Sequence, residues 1–421
     1  MCASVKKPKR LSVCYAAPGH SLLETSGSTR NVLSLAEALS QWADVTVAFR
    51  SVQEPILSDR YKVFAIEQGR VNTRHFKDDV AVRGLNPISY LSYLRTIGAF
   101  ARRFSTSYDV VLEKGWRLSG YLCSAFAALG TPSVLVENDA RRWSEPVNGV
   151  RSLFRYTLHG VSQGVAGFYS RRVPAVIAET DELGEALIKH RGIAPERLEV
   201  IDLGVDHSLF HPGDQLAARR ALGIDPGAFL LLYVGGMDVN HDLGPVIQAF
   251  DKTRASNVEL HLVGDGKHRR EYQEKAKGQA AVKFHGHVPH SRVPTCIAAA
   301  DLCIAPYRAD AFYEGQVSFS TLKIPEYMAC ARPVISIPSG HVRKIIQHNV
   351  SGFLFPNDVD HWMSFLGMLP QRNQLITMGQ AAKESVASQS WERTAVRYLE
   401  TCHRVCGQRM RPFEEVAIES H

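Results

Sequence analysis

The sequence predicts an α/β protein of two doubly wound, Rossmann-like domains. Three observations predict it. Short apolar and β-branched runs recur along the whole chain, bounded by turn formers. Between them lie longer segments with apolar residues at helical spacing, such as residues 31–41 and 119–129. The chain has 421 residues, beyond the roughly 250–300 that one hydrophobic core serves. Strand and helix patterns that alternate in this way imply parallel sheets covered by helices on both faces.

In chain order, the first half offers strands at 11–17, 44–50, 63–67, 109–113, 133–137, 175–179 and 198–202. The second half offers 229–235, 258–264, 282–285, 301–306, 333–337 and 352–355. The turn-rich stretch 204–213 separates the halves. Domains at 1–208 and 209–390 follow, with 391–421 as a last helix and tail. Ligands of such sheets bind outside the carboxyl ends of the strands, and two sheets facing each other would enclose a cleft.

Apolar content of 45% and charged content of 22% are ordinary globular values. The eight cysteines (Cys2, Cys14, Cys123, Cys296, Cys303, Cys330, Cys402, Cys406) form no CxxC pair and read as reduced, intracellular thiols. Lys6, Lys7, Lys9 and Arg10 precede a strand-like run, not a signal peptide's apolar region, and no run reaches a membrane span. The expected location is cytoplasmic.

The net charge is +7, and residues 83–172 hold 12 Lys/Arg against 5 Asp/Glu. Within them, residues 90–104 form an apolar stripe beside Arg95, Arg102 and Arg103. Two readings stand: a surface helix packed on its own core, or a basic amphipathic helix in peripheral contact with an anionic membrane. No nucleic-acid module appears, so no nucleic-acid partner is expected.

The most informative segment is 318–338. Ser320 and Thr321 suit helix caps, Lys323 falls in the first turn, and Glu326 shares its face. A cation there opposes the helix dipole and asks for an anionic partner such as a phosphate. Glu326 suits two ribose hydroxyls. A plain ion pair between Lys323 and Glu326 is the alternative.

In the first half, Gly27 and its neighbours Ser26 and Ser28 follow the first strand and open a helix, as a phosphate-approaching loop or a capping turn would. Glu113, Lys114, Glu137 and Asn138 end neighbouring strands, where they would bind an acceptor, assist proton removal or cap the next helices. Two signals are discounted. Asp358 and Asp360 match an Asp-x-Asp metal pattern but precede a helix, as a cap does. His285, His287 and His290 lack a carboxylate or cysteine beside them, so no metal site is expected.

Segment 318–338 resembles the donor-site motif of the retaining GT-B glycosyltransferases of family GT4. Tyr233-Val-Gly-Gly-Met-Asp238, Leu262-Val-Gly-Asp-Gly266, Phe284-His-Gly-His-Val288 and Gly352-Phe-Leu-Phe-Pro356 follow in the family's order. Val200 through Asp206, with Phe210 and Pro212, resembles its interdomain junction. The resemblance implies GT-B architecture, with the last helix returning to the N-terminal acceptor domain. It implies a hexosyltransferase, independent of metal and cofactor, that moves sugar from a UDP- or GDP-linked donor to a hydroxylated acceptor. That acceptor would be a growing polysaccharide, a lipid-linked glycan or a small metabolite. Glu326 would hold the ribose. Gly235, Gly236, Ser318, Ser320, Thr321 and Leu322 would line the donor, with His287 and Val288 against the base.

Three departures from the family pattern bear on chemistry. Its first motif carboxylate falls on Ser318, and its two phosphate-binding cations fall on Gly236 and His241. A buried diphosphate without cations is costly. Lys323, assisted by His241, is therefore expected to carry the diphosphate charge. Two other readings compete: a nucleotide-sugar 2-epimerase of the same fold, against which Ser318 argues, and a non-catalytic nucleotide-sugar-binding homologue.

Overall fold

A computed structural model of the chain describes residues 10–22, 27–52, 58–67, 87–139, 149–253, 257–308, 310 and 312–407. Lys6, Lys7, Lys9, Cys2, Ser26, Arg83 and the tail 408–421 lie outside them, as do the side chains of Ser28 and Tyr90. The chain divides into two compact units at Asp202/Leu203, with the last helix rejoining the first unit from Glu392.

The first unit contains β1 (Ser12–Leu22), α1 (Gly27–Leu39), β2 (Asp44–Val52), β3 (Tyr61–Ala65), α2 (Pro87–Phe104), β4 (Val110–Lys114) and α3 (Tyr121–Ala127). It continues through β5 (Ser133–Glu137), α4 (Val150–Ser170), β6 (Ala175–Ala178), α5 (Asp181–Ala186) and β7 (Leu198–Val200). Its seven strands are parallel in the order β3-β2-β1-β4-β5-β6-β7. Every residue of β4, β5 and β6 is buried, as a sheet covered on both faces requires. β1 runs past the expected Ala17 because, after a shift in register, Ser21 and Leu22 pair with Ser51 and Val52.

The apolar face of α2 lies in the core. Tyr93, Ile97, Phe100 and Ala101 are buried, and Phe100 meets Phe64 and Phe126 at 5.9 Å each. Of the two readings of this helix, the structure takes the packed one.

The second unit contains α6 (Gln215–Leu222), β8 (Phe229–Val234), α7 (Gly244–Thr253), β9 (Val258–Val263), α8 (Arg269–Lys275), β10 (Val282–Gly286), α9 (Val293–Ala299) and β11 (Leu302–Ala305). It continues through α10 (Lys323–Ala329), β12 (Val334–Ser336), α11 (Gly340–Ile345), β13 (Gly352–Leu354), α12 (Val359–Gly367) and α13 (Arg372–Val386). The six strands are parallel in the order β10-β9-β8-β11-β12-β13. Side chains of a strand alternate between faces. Leu230 and Leu232 accordingly join one core cluster, and Leu231 and Tyr233 the other. Asp358 caps α12 by accepting from the His361 N–H at 3.0 Å.

The unit boundary differs from the expected 208/209. Val205 and Phe210 are buried in the second unit's core, and Val205 pairs with Ser390. The turn-rich stretch is thus the first piece of that unit rather than a free linker. The last helix, α14 (Trp391–Val405), buries Tyr398, Leu399 and Cys402. Thr401 Oγ1 donates to Glu199 of β7 at 2.6 Å, and Thr394 Oγ1 to the Asp202 carbonyl at 3.0 Å.

Candidate functional site

β8 and β11 are neighbours, but the chain builds outward from them in opposite directions, to β9 and to β12. The carboxyl ends of such a pair leave a crevice where ligands bind in open parallel sheets. Lys323, the first residue of α10, comes to this point. Its ammonium donates to His241 Nε2 at 2.6 Å and to the Tyr233 hydroxyl at 3.2 Å. It also lies 4.6 Å from the centre of the Tyr233 ring and 5.5 Å from that of Tyr307, within cation–π range. His241 Nδ1 faces Asp238 Oδ1 at 3.0 Å. With lysine donating to Nε2, the ring carries its proton on Nδ1 and donates it to Asp238.

Burial pushes the Lys323 amine down to about 7, although Asp238 and Glu326 pull the other way. Burial alone would raise Asp238, but the hydrogen bond and charge of His241, the Asn240 N–H and Lys323 hold it well below the usual range. The site thus contains a cation that is only half committed at neutral pH.

The backbone around it is fixed by close approach. Gly235 has φ +150°, and a Cβ there would lie 2.7 Å from Lys323 Nζ. Gly264, at φ +128°, lies against the Gly235 carbonyl, where a side chain has no room. The Tyr327 hydroxyl accepts from the Val234 N–H at 2.8 Å and donates to the Val234 carbonyl at 3.0 Å, tying α10 to the end of β8. Tyr307 shares a short hydrogen bond with Thr321 Oγ1. Asp242 N–H donates to the Pro306 carbonyl and Arg308 N–H to the Asn240 carbonyl, both at 2.9 Å, which pins the His241 loop to the end of β11. Sequence reasoning missed Asp238 and the three tyrosines. The available signal was position: Tyr233 and Tyr307 flank the ends of the two central strands.

The caps differ from expectation. Leu322 is the cap residue of α10, no side chain caps the helix, and the Thr321 hydroxyl is turned to Tyr307. Ser318 and Ser320 are buried, while Leu322 and Glu326 are half-buried. Glu326 sits one turn after Lys323 and close enough to raise its affinity for a proton. Gly236 and His287 are exposed, and Val288 packs against the core. Among the described residues no cluster of His, Cys, Asp or Glu suits a metal ion.

The equivalent point of the first unit lies between β1 and β4. There the structure buries three of the four groups assigned from sequence to an acceptor. Glu113 accepts from Trp116 Nε1 at 2.7 Å, from Gly120 N–H at 2.9 Å and from Cys123 N–H at 2.7 Å. It serves the start of α3, and burial pushes its carboxyl up to about 7 against the pull of these donors. Lys114 is fully buried, 3.8 Å from Glu179, which also accepts from Asn31 Nδ2 at 3.0 Å. Glu137 is buried against Arg191. Asn138 alone of the four reaches the surface. Gly27 opens α1 with no protein atom within 4 Å of where a Cβ would stand. Sequence reasoning also missed His20, buried near the end of β1 and held down to about 3 by burial and by Lys114.

Comparison with known proteins places the chain and its fold. Residues 25–209 match the family model for Glycosyltransferase Family 4, and residues 228–369 the model for Glycosyl transferases group 1. A D-inositol 3-phosphate glycosyltransferase from Geodermatophilus obscurus is 28% identical over 234 residues, covering 52% of this chain and 50% of the relative. The chain thus spans about half the length of the curated relatives it matches. Among solved structures, sucrose-phosphate synthase from Thermosynechococcus elongatus superposes with a TM-score of 0.73 at 16% identity, covering 94% of this chain and 100% of that one. Anabaena HepE in complex with UDP-glucose gives 0.68 at 16% identity, covering 93% and 100%. The fold is GT-B. With both of its units matched, the chain belongs to the group 1 glycosyltransferases, family GT4.

Proposed function

We propose that this protein transfers a sugar from a nucleotide-diphospho-sugar to a hydroxyl acceptor with retention of anomeric configuration. The observation that carries this reading is Lys323 beside His241 at the β8/β11 crevice, with Glu326 one turn on. Lys323 replaces the pair of cations that relatives use and holds the diphosphate, with His241 assisting. Glu326 accepts from the ribose hydroxyls. As the bond from the sugar to the diphosphate breaks, the electron pair leaves with the diphosphate, and the ammonium stabilises that growing charge. Lys323, with His241 beside it, does the work of a metal in this reading, so chelators should leave the rate unchanged. UDP is the first nucleotide to test, because HepE is solved with UDP-glucose. The name of the Geodermatophilus relative adds support for glycosyl transfer.

The epimerase reading needs a second carboxylate beside the sugar, and Ser318, buried in its place, provides none. The test has two stages. Thermal-shift screening against nucleoside diphosphates and nucleotide sugars identifies the donor, since a ligand of the native state stabilises it by mass action. Lys323→Ala then lowers kcat with that donor by about two orders of magnitude or more. A variant within severalfold of wild type would remove Lys323 from the mechanism.

A further inference from the structure

The longest helix among the described residues, α4, has buried residues only in its second half. Its buried residues are small or polar: Ser162, Ala166, Gly167 and Ser170. Val150, Phe154, Leu158, Val161 and Phe168 lie on the opposite side, within about 80° of one another around the axis at 3.6 residues per turn. They are 85%, 64%, 38%, 63% and 46% exposed, and Leu153 beside them is 52% exposed. Surface helices of globular proteins show the reverse arrangement. Single exposed apolar residues are ordinary, but a continuous stripe of them marks a contact surface.

The charge on this helix indicates what the stripe meets. Residues 150–172 contain Arg151, Arg155, Arg171 and Arg172 and no carboxylate. The Arg172 guanidinium stacks 3.6 Å over the Phe168 ring, at one end of the apolar face. At 21 residues the helix is about 30 Å long, yet no helix among the described residues is long and apolar enough to cross a membrane. An apolar stripe on a helix of this length whose sequence carries arginines and no carboxylate is the pattern of one that lies in the plane of a membrane interface. Pairing two copies through the same face would bring together two helices that carry arginines and no carboxylate.

We propose that α4 lays its outward face into the head-group region of an anionic bilayer and anchors the first unit there. This reading is independent of the donor chemistry. The test is co-sedimentation of the full chain with vesicles of phosphatidylcholine alone or mixed with phosphatidylglycerol, at low and high salt. Wild type binds the anionic vesicles, less well as salt rises. A Phe154→Ser/Val161→Ser variant binds about tenfold less or weaker, with its Tm and nucleotide binding in solution unchanged. The proposal is overturned if wild type ignores anionic vesicles, or if the variant binds them equally well. It is also overturned if the variant's only change is from dimer to monomer by light scattering, which would make the face a self-association surface.

Discussion

The two crevices at the centres of the two sheets use charge in opposite ways. At the β1/β4 crevice the ionisable groups are buried and answered within the protein: Glu113 by three N–H donors, Glu137 by Arg191, Glu179 by Asn31 and Lys114. At the β8/β11 crevice Lys323 donates to an imidazole and a hydroxyl and lies near two aromatic rings, with Asp238 and Glu326 close by, and its amine titrates near neutrality. Charges matched by charges stabilise a fold. The same strand-end position thus holds buried, paired groups in one unit and, on the proposed function, the donor's cation in the other.

Four outcomes sharpen or break this contrast, in decreasing order of effect. Lys114→Ala should cost about 3–5 kcal/mol in denaturant unfolding, because it leaves Glu179 buried without its cation; Lys323→Ala, against the hundredfold rate loss given above, should cost far less stability. If the costs are equal, the contrast fails. Glu113→Ala should cost about 3 kcal/mol by orphaning three N–H donors, with folded protein keeping its kcat. A large kcat loss in folded Glu113→Ala would return that carboxylate to the active site.

The third outcome concerns pH and ligand. The free Lys323 amine loses its proton near 7, and a bound diphosphate would hold that proton on. Nucleotide affinity should then fall by up to about tenfold per pH unit above 7, with proton uptake on binding. Calorimetry in buffers of different ionisation enthalpy reads that uptake, and none at pH 8 would contradict it. The smallest effect is on stability. Glu113, with its carboxyl raised to about 7, binds its proton more readily folded than unfolded. That contribution is complete below its ordinary range and is lost as pH rises through about 7. Tm should decline between about pH 5 and pH 7, and the decline should be shallower in Glu113→Gln.

Much of this was legible from sequence. All thirteen strand runs form strands, since alternating short β-branched runs and helical segments have few other ways to bury their apolar groups. Lys323 and His241, 82 positions apart, were linked by an argument about missing cations, and they meet at 2.6 Å. The tyrosines that hold them were not legible, because an aromatic residue at the end of a strand reads as core until its neighbours are known. The burial of Glu113, Lys114 and Glu137 was not legible either. A strand end offers a side chain to a crevice or to the following helix with equal ease, and only α3 and Arg191 decided between them.

The two helices α2 and α4 mark the limit most clearly. By itself the sequence determined that each has an apolar stripe, because period and composition are local properties. For residues 90–104 it left two readings, a packed helix or a membrane contact, and the tertiary structure placed Tyr93, Ile97, Phe100 and Ala101 in the core. It gave no such role to α4, whose apolar side chains the tertiary structure turned outward. A stripe specifies a direction around a helix axis. Which direction is the core depends on the sheet beneath, and that is set by contacts far apart in sequence.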